Sequence, residues 1–588
     1  MRALSLFGVL VVARVLVLFG REVDLSIWTP FVYLWQDVAV ALIFAALDRL
    51  WGTRAGWILY AAVVTYAAIN VPVTRIFSSP LTWTMIRAAG APLRDSIALY
   101  LSPTNVALIA VVLAAGIVFP LLAQRFSAQL AKPAVATGVA VILLGVLSTA
   151  KVETLGMHRN ALGALWPARI PVSNPMANDT DPRISPYPAR AAEDLSAFSA
   201  TASGRNVVLI LLESTAARYL APYGAADDPM PNLTKLAQTS IVFDSAYAVY
   251  PESIKGLFST LCSRYPGFAT DAEQYVDVPC TSVVRQFADA GYRTGLFHSG
   301  RFMYLGMEAV IQNRGFDTLE DAGAIGGNVH SSFGVDEPAT VQRMLSWIDS
   351  NPPGQPFFLA YLPVAGHHPY ISPGGPFDAT SEFGRYLNSL HHGDAALGKL
   401  LDGLRSRDLE RNTVYVVFGD HGEAFGQHSG NFGHTLFIHD ENVRVPYLIS
   451  APGVIKQQIR VGRVASLIDT APTILDMAGL PTPSGYQGSS LLEPRTRMAL
   501  FFTDYSLGWL GLRDGCWKYT YEIAAEWSRL YDVCRDPGET RDVSKLDPER
   551  ANRYREIVSR WIQPRSGDIL SAPGLSRGNP MSTPTKGP

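Results

Sequence analysis

Residues 413–435 read "TVYVVFGDHGEAFGQHSGNFGHT". Thr413 to Gly419 is an apolar, β-branched run of strand length, suited to a parallel strand buried on both faces. It stops at Asp420 and His421. Residues 418–435 crowd His421, His428, His434 and Glu423 among five glycines, in a chain with only 11 histidines. Glycine lets a backbone approach a bound group closely. Carboxylate and imidazole donors together suit zinc or manganese better than calcium, which takes an all-oxygen shell. Asp420 and His421 therefore read as ligands of a divalent metal. Polar loop packing is the plainer alternative.

The same pattern recurs outward from this stretch. Strand-like runs occupy 206–212, 292–298, 356–364 and 445–452. Helical spacing of apolar residues marks 230–240, 282–291, 338–350 and 390–406. Strands alternating with helices predict an α/β domain around a central sheet. Ligands in such domains collect beyond the carboxyl ends of the strands. Glu213, His298, His367, Asp420 and His421 all stand at predicted strand ends. Glu213 could bind metal or simply cap a helix. In "GHHPY" (366–370), His367 and His368 could bind an anion, protonate a leaving group or merely pack. Arg301, shortly after His298, could neutralise an anion.

Ahead of residue 155 charge thins out. Five membrane spans are predicted, near 3–20, 28–47, 56–74, 104–123 and 132–150. Arg14 and Asp37 interrupt the first two, and the first span could instead be a signal peptide. Arg49 and Arg54, then Arg125 and Lys132, assign two loops to the cytoplasm. The loop 75–103, with Arg75, Arg87 and Arg94, would lie along the outer surface or beneath the folded part. The expected division is a transmembrane domain (1–152), a Pro-rich surface linker (153–204), a catalytic domain (205–562) and a disordered tail (563–588). With a net charge of -2 and no long basic tract, nucleic acid is not suggested as a partner. Cys262 with Cys280 and Cys516 with Cys534 could pair in an oxidising compartment, or remain four thiols.

These motifs together resemble the alkaline phosphatase superfamily in its sulfatase-like branch. The layout is similar to membrane phosphoethanolamine transferases, lipoteichoic acid synthases and glycerol phosphotransferases of periplasmic glucans. The resemblance covers about 205–550. "LLES" implies Glu213 as a metal ligand, and "DHGE" implies Asp420 and His421. "GHT" implies that His434 contacts the transferred group or the leaving oxygen. "HHPY" points to His367, and "YRTGLFHSGRF" to His298 as a residue lining the site. The segment "WKYTYEIAAEWSRLYDVCRDPGETRDV" resembles a closing hairpin, in which Lys518, Tyr531, Asp532 and Glu539 are structural. The implied mechanism is covalent: a metal-activated oxygen attacks phosphorus or sulfur, and an acceptor or water resolves the intermediate.

The attacking oxygen falls in "AVYPESIKGLFS" (248–259). Family register points to Tyr250, with Ser253 three residues on. Side-chain chemistry points to Ser253, because tyrosine is longer and its pKa lies near 10. Thr260, direct attack by water and an inactive site are the other readings. Neither hydroxyl sits in the C/S-x-P/A-x-R pattern that formylglycine requires. Lys255 could bind an oxyanion; His298, Arg301, His368 and His428 are further candidate substrate contacts.

The leading expectation is a transferase of the bacterial inner membrane with an extracytoplasmic site. It would move a phosphoryl-linked headgroup from a phospholipid donor to an envelope glycan or lipid acceptor. The alternatives are a sulfatase or phosphodiesterase using water, and an inactive envelope scaffold.

Overall fold

The computed structural model describes residues 1–562 apart from 22, 78, 84, 85, 87–99, 124–130, 166–180, 189–191, 328, 332 and 333. The predicted tail, residues 166–180 and 189–191 of the predicted linker, and Arg87, Arg94 and Arg125 lie outside the described residues.

The central sheet is built from β1 (Asn206–Leu212), β2 (Ser240–Tyr247), β3 (Arg293–His298), β4 (Thr318–Glu320), β5 (Phe357–Leu362), β6 (Thr413–Gly419), β7 (Arg444–Val445), β8 (Tyr447–Ser450) and β9 (Ile459–Ser466). Their spatial order is β4-β3-β5-β1-β6-β8-β2, with β7 and β9 both pairing to β2. β3, β5, β1 and β6 run parallel, whereas β8 is antiparallel to its neighbours. Alternate residues of one strand serve opposite faces. Val207, Leu209 and Leu211 join one core; Val208, Ile210 and Leu212 join the other. Helices cover both faces, so β1 and β6 are buried throughout, as their apolar runs predict. The α/β expectation stands for this part. β2 and β9 were not foreseen: β2 places two polar residues, Asp244 and Ser245, in its middle, which hides its strand character.

Register positions the site. Leu212 pairs with Gly419, and His298 pairs with Leu362. Glu213, Asp420 and His298 therefore leave the same edge of the sheet. A second, antiparallel sheet of β10 (Ala499–Thr503), β11 (Trp509–Asp514), β12 (Trp517–Glu522) and β13 (Trp527–Asp532) follows. It packs with the helix Pro548–Ile562 through Phe502, Tyr519, Tyr554 and Trp561. The disulfides Cys262–Cys280 and Cys516–Cys534 are both formed, which removes the alternative of four thiols.

The expected five-span bundle is corrected. The amino-terminal part folds as α1 (Arg2–Leu18), α2 (Thr29–Phe77), α3 (Pro103–Ala123) and α4 (Ala131–Ser148). The segments 28–47 and 56–74 form one element, α2, broken only at Gly52. Among the described residues, only α2 and α3 are long and apolar enough to cross a membrane. With that, the multi-pass inner-membrane placement and the loop orientation built on it fall. Apolar windows count residues but do not see what they pack against. Leu6, Val9, Leu10 and Ala13 of α1 bury against Val63, Val64 and Ala67 of α2. Arg14 and Asp37, the charges that interrupt the first two segments, pair at 2.9 Å, and Asn160 donates to the same carboxylate.

Candidate metal and nucleophile site

Glu213, Asp420 and His421 converge at the ends of β1 and β6. One ligand atom from each lies within 4.8 Å of the others, and all three residues are buried. Asp420 Oδ1 accepts from the backbone N–H of Ser214 (3.0 Å) and of His421 (2.7 Å). His421 Nδ1 donates to the Gly422 carbonyl at 2.9 Å. That bond leaves Nε2 as a lone-pair donor, 3.6 Å from both Glu213 Oε1 and Asp420 Oδ2. The turns are tight. Ser214 holds φ at 51°, uncommon for a residue with a side chain. A Cβ on Gly422 would lie 2.1 Å from the Glu441 carbonyl oxygen, and Gly366, at φ 108°, would meet that of Glu213 at 2.3 Å. Neither position has room for a side chain.

Two buried carboxylates facing each other are unfavourable unless a cation or a proton lies between them. Burial and the Asp420 charge push Glu213 up to about 8. Two carboxylates and one outward-facing imidazole nitrogen fit a zinc- or manganese-type ion by donor chemistry.

Ser253 completes the cluster. It opens the helix α5 (Ser253–Cys262). Its Oγ donates to Glu213 Oε2 at 3.0 Å and lies 3.2 Å from His421 Nε2. Glu252 caps the helix, taking the N–H groups of Ile254 (2.9 Å) and Lys255 (3.3 Å). The capping carboxylate thereby occupies donors that a helix start would otherwise offer to an anion.

Tyr250 stands elsewhere. Its hydroxyl donates to Asp504 at 2.6 Å, and its ring packs edge-on against Phe502 in the core of the second sheet. Burial and Asp504 push its hydroxyl well above the usual tyrosine range. Lys255 Nζ binds both oxygens of Asp504, at 2.9 and 2.8 Å, so its charge is engaged there. Thr260 is buried within α5, donating to the Gly256 carbonyl.

The other candidate histidines are held in different surroundings. His298 shares a small cavity with Glu213, Ser253, Leu257, Met307 and Asp420. Its Nδ1 is 2.9 Å from the Leu362 carbonyl, and burial lowers its pKa. His434 places its ring 4.2 Å from that of His421, with Nδ1 held by Glu423 Oε2 at 2.7 Å. Glu423 also accepts from Tyr370 at 2.7 Å. His367 approaches Tyr304 edge-on at 5.9 Å, and burial pushes it down to about 3. His368 stacks on Tyr100, from the chain between α2 and α3, at 5.4 Å, and the Tyr100 hydroxyl lies 3.2 Å from its Nε2. His428 faces Glu441 and His439. The Arg301 guanidinium lies against the turn at Asp321–Gly323.

Glu252, Glu423, Asp504 and Tyr100 were not singled out for roles by the sequence reading. Only Glu423 carried a signal, its place within "DHGE". Asp504 and Tyr100 lie far along the chain from the groups they touch.

Comparison with known proteins agrees with this geometry. The family described as Sulfatase matches residues 205–480, and that described as N-sulphoglucosamine sulphohydrolase, C-terminal, matches 427–563. Arylsulfatase K of Canis lupus familiaris is 30% identical over 177 residues, 26% of this chain and 32% of its own. The lipoteichoic acid synthase-like YvgJ of Bacillus subtilis (strain 168) is 23% identical over 316 residues, 50% of each chain. The matches thus span about a third to a half of the length of these relatives. In fold, the lipoteichoic acid synthase LtaP of Listeria monocytogenes superposes with a TM-score of 0.53 at 17% identity, covering 64% of this chain and 96% of that one. The chain therefore carries a sulfatase-like domain of the alkaline phosphatase superfamily, homologous to sulfatase and lipoteichoic acid synthase-like proteins.

Proposed function

We propose that the protein is a metal-dependent hydrolase of sulfate or phosphate esters, with residues 205–562 as its catalytic unit and Ser253 as its nucleophile. The observation that carries this reading is Ser253 Oγ, 3.0 Å from Glu213 Oε2 and 3.2 Å from His421 Nε2. Glu213, Asp420 and His421 would hold the divalent ion, which would supply a lowered hydroxyl pKa and charge for the nonbridging oxygens.

The remaining steps belong to the chain. The Ser253 hydroxyl proton already points at Glu213 Oε2, which can accept it as Oγ attacks. His434, oriented through Nδ1 by Glu423, can give a proton to the leaving oxygen and take one from the water that resolves the seryl ester. His298 and His367, both kept neutral by burial, can hydrogen-bond substrate oxygens without adding charge. His368, under Tyr100, lies where the amino-terminal part meets the site. Lys255, turned to Asp504, and Arg301, against the turn at Gly323, support the walls.

A second reading keeps the same first step and replaces water by an acceptor: transfer of a phosphoryl-linked headgroup from a phospholipid to an envelope glycan or lipid. The match to the lipoteichoic acid synthase-like YvgJ, over half of each chain, favours it. The test is turnover by the purified full chain, loaded with zinc or manganese. The substrates are p-nitrophenyl phosphate, bis(p-nitrophenyl) phosphate, p-nitrophenyl sulfate, and phospholipid with and without acceptor. Release to water supports hydrolysis, and product only with acceptor supports transfer. Turnover that persists in Ser253→Ala would remove the proposed nucleophile.

A further inference from the structure

A second group of metal donors lies outside the Ser253 site. His428, His439 and Glu539 each place one ligand atom within 4.8 Å of the other two. They share no residue with Glu213, Asp420 and His421. The two imidazoles stack with centroids 3.7 Å apart and planes 11° from parallel. Glu539 Oε2 faces both, 2.9 Å from His439 Nδ1 and 3.8 Å from His428 Nε2.

Three features favour a cation over simple packing. First, His428 Nε2 is buried and has no hydrogen-bond partner, and a buried polar atom left unpaired is unfavourable. Second, its other nitrogen is committed: Nδ1 lies 2.6 Å from Glu441 Oε1, which Asn431 also contacts at 2.9 Å. A carboxylate on Nδ1 fixes the tautomer with an Nε2 lone pair and orients the ring, as the outer partners of metal-bound histidines do. Third, the carboxylate is divided. Lys518 takes Glu539 Oε1, and its ammonium also meets Asp440 at 2.8 Å, leaving Oε2 for the imidazoles. The local charge leaves room for a cation, since Asp440, Glu441 and Glu539 outnumber Lys518 and the nearby Arg218. Glu539 itself is held at φ 53°, an uncommon conformation for a residue other than glycine.

We propose that His428 Nε2, His439 Nδ1 and Glu539 Oε2 form a second site for a borderline divalent cation of the zinc class. On binding, the two rings swing out of their stack so that their in-plane lone pairs converge on the ion, and the proton between His439 and Glu539 leaves to solvent, freeing the His439 lone pair for the shell. The ion would clasp the carboxy-terminal hairpin, which carries Glu539, to the glycine-rich loop that carries His428 and leads to His434. It would act by positioning, because the three ligands share no residue with the Ser253 site.

Cobalt(II) titration of the chelator-stripped full chain tests this. In a chain with Asp420→Asn and His421→Gln, which empties the Ser253 site, about one equivalent of cobalt should still bind with visible ligand-field absorption. Adding His428→Gln should abolish that absorption, and Glu441→Gln should weaken binding about 10–100-fold. If the double variant does not fold by near-ultraviolet circular dichroism, the otherwise unaltered chain should lose one cobalt equivalent on His428→Gln alone. Absence of cobalt from the folded double variant, or cobalt binding indifferent to His428→Gln, overturns the proposal.

Discussion

Tyr250 and Ser253 are three residues apart and live in opposite surroundings. Tyr250, just past β2, sits in the core of the second sheet, with its hydroxyl on Asp504 and Lys255 above its ring. Ser253, at the first turn of α5, meets Glu213 and His421. The difference teaches that a hydroxyl's chemistry here is set by the carboxylates it faces. Asp504 is matched by a lysine of the chain itself. Among the described residues, Glu213 and Asp420 have no lysine or arginine within salt-bridge distance; the basic group beside them is His421. One pair of surroundings is neutralised from within, and the other calls for an ion from outside.

The contrast can be broken most directly at Ser253. Ser253→Ala should lower kcat by about 10⁴-fold or more while metal content holds, because removing a nucleophile removes the step itself. Equal loss on Tyr250→Phe would reverse the assignment. Asp420→Asn should cost about 10³-fold or more in kcat and strip the metal from the Ser253 site, read by elemental analysis. A smaller loss is expected at the proton-handling end. His434→Asn should lower kcat about 10²–10³-fold with KM little changed, and Glu423→Gln should shift the pH–rate profile in the same assay.

The mildest effects sharpen the comparison from the other side. Tyr250→Phe should leave kcat within about threefold and lower stability by about 1–3 kcal/mol in urea titration, the worth of a hydrogen bond to a charged group. His367 gives a pH signature. Burial holds it near 3, against 6.5 when exposed. The unfolded chain therefore binds more protons between those values. Its contribution to stability is complete above pH 6.5 and declines as pH falls towards 3. His367→Gln should flatten that part of the stability profile; an unchanged slope would show that the imidazole is not buried as a neutral group.

The residues of the candidate metal cluster were legible in the sequence. Glu213, Asp420 and His421 follow apolar runs buried on both faces, and such runs must end where the sheet does. A charged residue just past the end is therefore at the sheet's edge. The register of Leu212 with Gly419 then brings those ends together. The α/β class was legible for the same reason. The amino-terminal part was misread because apolarity was counted without partners: α1 and α2 bury against each other, and Arg14 satisfies Asp37.

The sequence by itself therefore determined the strand ends, the donor types and the candidate hydroxyls, since these follow from local patterning and side-chain chemistry. Only the tertiary structure separated Tyr250 from Ser253, because Asp504, which holds the first, is about 250 residues away along the chain. It also decided that His428 faces His439 and Glu539, while His434 from the same loop faces His421. A glycine-rich segment can turn its side chains either way, and partners distant in sequence choose between them.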